Sequence, residues 1–182
     1  VNALSAGVLA NKILQFSAGF MYREDRSVAH IHSAKLDALG QLISVAAGDP
    51  LLVFYAFAED FERIKKLYPK VAKLNETKNF MPRWNNGELK VVAAHPASCS
   101  HGLNLQHGGH LAAWYSYIWD REKFEQASTR LPRPGQKWPV SQYRIITNGT
   151  DEDRLLSVLA DGTATESDMT RMVMRTLAPS GN

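Results

Sequence analysis

Residues 51–55 read Leu-Leu-Val-Phe-Tyr, an unbroken apolar run set between Pro50 and a charged stretch with helical spacing. A strand without polar alternation must have both faces covered, the condition met by a parallel sheet with helices on each side. Leu36, Leu39, Leu42 and Ile43 precede it at helical spacing, and Gly48-Asp49-Pro50 stops that helix. An amphipathic helix is expected after it, from Glu59 to Leu67, closed by Pro69. Helix, buried strand and helix in succession predict an open α/β sheet.

The rest of the chain continues the alternation. Residues 3–21 carry Leu4, Val8, Leu9, Ile13, Leu14, Phe16 and Phe20 near one helical face, with Gly19 as a stop, and 22–33 read as a loop. A short strand is expected at 71–74, a helical turn or two at 80–84 ended by Asn85-Asn86-Gly87, and a strand at 90–95 stopped by Pro96. A strand at 110–117, a helix at 121–130 and a last strand at 142–147 follow. Thr150 then caps a helix with Asp153 in capping-box position, so Asp151-Glu152-Asp153 reads as capping. Residues 166–177 form a final helix, whose Met169, Met172, Val173 and Leu177 stripe reads as a packing face. The sheet should hold five or more strands, with 51–55, 91–95, 111–117 and 142–147 side by side.

Composition narrows the class. The 182 residues suit one domain, and 45% apolar with 21% charged residues is average for a globular protein. No apolar run approaches the roughly 18 residues of a membrane span, and no basic segment opens a signal peptide. One cysteine, Cys99, cannot form an internal disulfide, which fits a cytoplasmic protein. The net charge of +3 and pI near 9.0 are compatible with a nucleic-acid partner without establishing one. The chain opens on Val1 rather than Met, which reads as a piece of a longer protein.

Two segments offer chemistry. Residues 95–106, His-Pro-Ala-Ser-Cys-Ser-His-Gly-Leu-Asn-Leu-Gln, follow a strand with small and hydroxyl residues, where backbone N–H groups, Ser98 and Ser100 could face an anion or merely make a tight turn. In residues 126–136, Gln126, Arg130 and Arg133 recur at spacings of four and three. Two converging guanidiniums repel unless an anion joins them, although a solvated helix C-terminus also welcomes positive charge.

The pattern Gln-x-x-x-Arg-x-x-Arg-x-Gly-Gln at 126–136, preceded by Gly-Leu-Asn-Leu-Gln at 102–106, resembles motifs VI and V of Swi/Snf-like superfamily-two helicases, and of their phage and prophage group in particular. Residues 51–55 after a Pro resemble motif IV, and Lys35-Leu36, Trp84-Asn85-Asn86-Gly87, His95-Pro96-Ala97-Ser98 and Trp119 fit the phage group. The match runs through residues 10–160 in order. No Gly-x-x-x-x-Gly-Lys-Ser/Thr phosphate loop and no Asp-Glu-x-His box occurs. The resemblance therefore implies a second, C-terminal RecA-like lobe: an α/β three-layer sandwich with a mostly parallel sheet. It divides the 182 residues into a lead-in helix and loop over 1–34, a motif-bearing core over 35–160 and a C-terminal helix over 161–182.

The implied activity is that of a nucleic-acid-dependent ATPase, a DNA helicase or translocase, inactive without its phosphate-loop lobe. ATP and Mg²⁺ are the implied cofactors, with the magnesium ligands in the other lobe. Arg133 would be the arginine finger, Arg130 its companion on the γ-phosphate and Gln126 an orienting group, with Gly102, Asn104, Arg130 and Arg133 forming the nucleotide side. Tyr55, Ser98, His101 and Asn104 would face the DNA backbone. Both arginines should lie at the surface, free of carboxylates, at the edge where the strands' C-terminal ends meet the first lobe. The lead-in helix should pack loosely. Departures from the family pattern are Ser100 in place of Gly, Pro132 in place of His, and Pro134. A free-standing nucleic-acid-binding or regulatory module derived from such a lobe is the alternative.

Other signals weigh less. His95, Cys99, His101, His107 and His110 match no common zinc spacing, so no metal site is expected. Cys99 lacks a base and orienter for nucleophilic work. Trp114 reads as core, while Trp84 and Trp138 stand equally between packing and base stacking.

Overall fold

The computed structural model describes residues 3–99 and 102–160. Ser100, His101 and the helix expected at 166–177 lie outside the described residues. Helix α1 (Ala3–Ser17) leads into an antiparallel hairpin of β1 (Phe20–Tyr22) and β2 (Val28–His30). Then come α2 (Ala34–Val45), β3 (Leu51–Phe54), α3 (Ala58–Leu67), β4 (Ala72–Lys73), α4 (Phe80–Asn85) and β5 (Val91–Ala94). Two 3₁₀ turns, Pro96–Cys99 and Leu105–His107, stand in the crossover to β6 (Leu111–Trp114). Helix α5 (Arg121–Ser128), β7 (Ser141–Arg144) and α6 (Glu152–Ala160) complete the described chain.

Strands β3 to β7 form one sheet in the order β4-β5-β3-β6-β7, every pair parallel. The central strand is the apolar run that demanded two covered faces. Leu51 lies beside both Val91 and Leu111, and Leu111 beside Ser141. Period-two alternation sends Leu52, Phe54, Val92, Ala94, Ala112 and Trp114 to one face, where α1, α4, α5 and α6 bring Leu14, Trp84, Phe124 and Leu155. Leu51, Val53, Val91, Ala93 and Ala113 take the other face under Leu39, Phe61 and Ile64 of α2 and α3. The result is the three-layer α/β sandwich with a parallel sheet that the alternation predicts.

Three details differ from the sequence reading. Residues 22–33 are not all loop: Val28–His30 pairs back on Phe20–Tyr22 through a turn in which Arg26 takes φ 66° and Ser27 N–H donates to Asp25 Oδ1. Three-residue strands carry no periodic signal to read. Helix α1 does not pack loosely, since Ala10 and Leu14 are buried and the Thr147 hydroxyl donates to Ser17 O at 2.7 Å. Helix α5 ends at Ser128, short of residue 130: Arg130 N–H turns to Ala127 O in a tighter turn, and Pro132 has no N–H with which to continue the ladder.

Candidate functional site

Each helix of a parallel α/β sheet runs antiparallel to the strands and returns the chain to the edge where the next strand starts. Residues 129–140 therefore lie at the strand-start edge, where Gln136 Nε2 donates to Gly109 O at 2.9 Å and Ser141 N–H to His110 O. This corrects the expectation that Arg130 and Arg133 sit where the strands end. Tyr55 and Ser98 occupy that opposite edge, about 13 Å away along a four-residue strand.

Arg133 opens a tight turn. Gln136 N–H donates to Arg133 O at 3.0 Å across Pro134-Gly135, and Gly135 has φ 93°, the arrangement of a type II turn with Pro at its second and Gly at its third position. The Arg133 guanidinium donates to Thr129 O at 3.1 Å and, through Nη1, to Leu103 O at 3.3 Å. That second bond joins the motif VI segment to the loop that holds Gly102 and Asn104. Gly102 is exposed with φ 58°, and Asn104 is exposed before the second 3₁₀ turn. Among the described residues no carboxylate pairs with Arg133.

Arg130 is 6% exposed, not at the surface as expected, because neighbouring Ala127 and Leu131 anchor this turn in the core. Burial first, and the neighbouring Arg133 charge second, lower its pKa. Burial pushes the Cys99 thiol up to about 12 beside Arg130, which leaves it a neutral packing group. Gln126 is half-buried one helical turn back, its amide donating to Glu122 Oε1 at 2.8 Å.

At the strand-end edge, Tyr55 is 6% exposed, packed on Phe61 and edge-on to His95 at 5.9 Å between ring centroids. Ser98 Oγ accepts from Asn75 Nδ2 at 2.8 Å. The structure therefore divides the expected nucleic-acid set: Tyr55 and Ser98 share this edge, Asn104 joins the arginines, and His101 lies outside the described residues.

Beneath that edge is a buried charged network that the sequence reading missed. Lys35 and Glu152, both essentially inaccessible, form an ion pair between α2 and α6. Lys35 Nζ also donates to Tyr115 O at 3.0 Å, and Glu152 Oε2 accepts from Thr147 N–H at 2.9 Å. Burial lowers the Lys35 pKa, opposed by the Glu152 charge. Asp60 accepts from the Ser116 hydroxyl at 2.5 Å and Phe57 N–H at 2.9 Å, and burial pushes its carboxyl up to about 6. Glu152 is thus more than a capping residue, although its N–H donates to Thr150 Oγ1 at 3.4 Å. A lysine two residues after Ser33 and a glutamate in an acidic triplet carry no sequence signal of pairing across 117 positions.

Trp84 and Trp114 are core, Trp84 donating from Nε1 to Leu105 O at 2.8 Å, whereas Trp138 is 67% exposed. Among the described residues no group of three or more His, Cys, Asp or Glu side chains is placed to hold a metal. Nor is any described helix long and apolar enough to cross a membrane.

The fold is that of a RecA-like α/β lobe. No family profile matches the chain. A phage protein, p41 of Acyrthosiphon pisum secondary endosymbiont phage 1, is 38% identical over 156 residues, covering 82% of this chain and 34% of that protein. The human DNA repair and recombination protein RAD54B is 44% identical over 54 residues, 30% of this chain and 6% of that protein. The crystal structure of the C-terminal part of the Fun30 ATPase domain superposes with a TM-score of 0.64 at 18% identity, over 78% of this chain and 51% of that one. The structural likeness shows the fold, and with the sequence matches the chain resembles the C-terminal RecA-like lobe of a phage Swi/Snf-like superfamily-two helicase. It spans about a third of the phage relative's length.

Proposed function

We propose that this chain is the C-terminal lobe of a nucleic-acid-dependent ATPase that moves on DNA, and that it completes an ATP site whose phosphate loop and magnesium ligands lie on another lobe. One observation carries the reading: Arg133, at the end of the motif VI segment, is bonded through Leu103 O to the 102–104 loop and has no described carboxylate on its fork. Charge grows on the γ-phosphate oxygens during hydrolysis, and a planar guanidinium fork stabilises it. Arg133 is the finger. Arg130, buried beside it, fixes the local field, and Gln126 orients the helix end. Gly102 and Asn104 offer backbone and amide to the nucleotide. The type II turn and the prolines on either side of Arg133 hold it in place before the lobes meet. Ser98 and His101, with Tyr55 supporting His95, would grip the DNA backbone without reading its sequence.

The test is Arg133→Ala in the full-length protein. The ATPase rate should fall by about two orders of magnitude or more, with DNA affinity nearly unchanged. Arg133→Lys should restore little. Wild-type turnover in Arg133→Ala would remove the finger assignment. A free-standing module would instead bind DNA through this chain and gain no turnover from any added lobe.

A further inference from the structure

Nothing proposed so far gives a role to Gln136, the last residue of the motif VI pattern. It lies in the stretch 132–139, which carries Arg133 along the strand-start edge between two apolar anchors, buried Leu131 and half-buried Val140. No residue of that stretch is buried: Arg133 and Gln136 are half-buried and the rest are exposed, Trp138 among them. A cleft of about 530 Å³ opens beside residues 135–138. Apolar packing therefore does not fix the turn that bears Arg133. A segment with few buried contacts keeps its place through hydrogen bonds or moves.

Gln136 supplies those bonds. Its backbone N–H donates to Arg133 O at 3.0 Å and closes the turn. Its side-chain amide works in three directions. Nε2 donates to Gly109 O at 2.9 Å and to Leu131 O at 3.4 Å, and Oε1 accepts from Trp138 N–H at 3.1 Å. One side chain thus uses both amide hydrogens and its carbonyl. It joins the two ends of the stretch to each other and to the sheet.

The anchor on the sheet side does not yield. Gly108 and Gly109, the floor of the cleft just ahead of β6, are pressed on buried Trp84 and on Pro50. A Cβ on Gly108 would come within 2.3 Å of Trp84 Cδ1, and one on Gly109 within 3.0 Å of Pro50 O. Gly109 O is therefore an acceptor held in place by the core. The neighbouring tie, from Gln106 Nε2 to Pro134 O, is longer at 3.5 Å.

We infer that Gln136 is a positioning residue for Arg133: its amide ties the turn carrying the guanidinium to the fixed start of the sheet before any nucleotide arrives. The inference rests on the finger reading above, and within it Gln136 touches no substrate. A guanidinium on a loose turn must be ordered during the reaction, and a misplacement of about 1 Å costs up to about a hundred-fold in rate. Affinity for ATP and for DNA, which draws on other groups, should not feel the loss.

The test is made in the full-length protein with Gln136→Met, which keeps the length of the side chain and removes all three amide bonds. The kcat should fall about ten-fold or more, while KM for ATP and DNA affinity stay within about two-fold of wild type. Gln136→Glu can still accept from Trp138 N–H but offers no donor to Gly109 O, and it should lose at least as much. Because Gln136 acts through Arg133, Gln136→Met should add less than about a two-fold loss in the Arg133→Ala background. A general weakening of the fold would instead multiply the two losses and raise KM. Multiplied losses in the double variant overturn the inference, as does a DNA affinity that falls in step with kcat. Wild-type turnover in Arg133→Ala would remove the finger reading and this inference together. Lowered turnover in Arg133→Ala beside an unchanged kcat in Gln136→Met or Gln136→Glu removes this inference alone.

Discussion

The two edges of the one sheet carry charge in opposite ways. Where the strands end, Lys35, Glu152 and Asp60 are buried and answered from within the lobe, by each other, Tyr115 O, Ser116 and backbone N–H groups. Where the strands start, Arg133 has backbone carbonyls but no described carboxylate, and a cleft stands open with an exposed Trp138 at its rim. Charge that is compensated inside the fold locks α2, α3 and α6 to the sheet. Charge left without a counter-ion is what an incoming phosphate needs. The first edge should therefore respond to mutation in stability and the second in function.

Lys35→Met should give the largest effect. It leaves Glu152 buried and unpaired, which costs about 3–5 kcal/mol, visible in chemical denaturation. Adding Glu152→Leu should recover most of the loss, because the pair as a whole contributes little against an apolar replacement. If Lys35→Met is silent, the strand-end edge is not held by charge and the contrast fails. Arg133→Ala should do the reverse, leaving the melting temperature within error while lowering full-length turnover as proposed, about 3 kcal/mol of transition-state stabilisation for a hundred-fold loss.

Asp60 sharpens the contrast by pH. Its folded pKa of about 6 lies above the ordinary 3.8, so the folded state holds the proton more tightly than the unfolded one. Stability from this group is present at low pH and is lost, by up to about 3 kcal/mol, as pH rises from about 4 to 6. The difference in stability between wild type and Asp60→Asn should fall across that window and stay level above it. A difference independent of pH would show that Asp60 ionises as freely as in the unfolded chain. The smallest effect is expected at Gly108→Ala, which forces the cleft floor off Trp84 and should cost about 1–3 kcal/mol. A neutral Gly108→Ala would mean that the floor is soft.

Much of the fold was legible because its signals are local. The buried run at 51–55 required a two-sided sheet, and prolines and glycines marked where helices and strands stop. Spacing left the segments at 102–106 and 126–136 open between anion binding and a plain turn or helix end, and it was their resemblance to helicase motifs, each contiguous in sequence, that named their residues. Pro134-Gly135 likewise specified its own turn. The hairpin at 20–30 was not legible, since three-residue strands show no period and their pairing depends on the neighbouring Phe57 and Tyr22 rings packing on Phe20.

The sequence by itself determined the class of sheet and the order of its main elements. The tertiary structure decided what long-range contact decides. It placed the arginines at the edge where strands start, since a crossover helix must run back against its strand. It buried Arg130, paired Lys35 with Glu152 across the chain, turned Trp84 into core and left Trp138 at a cleft. None of these follows from spacing, because burial and charge compensation belong to neighbours that only folding supplies.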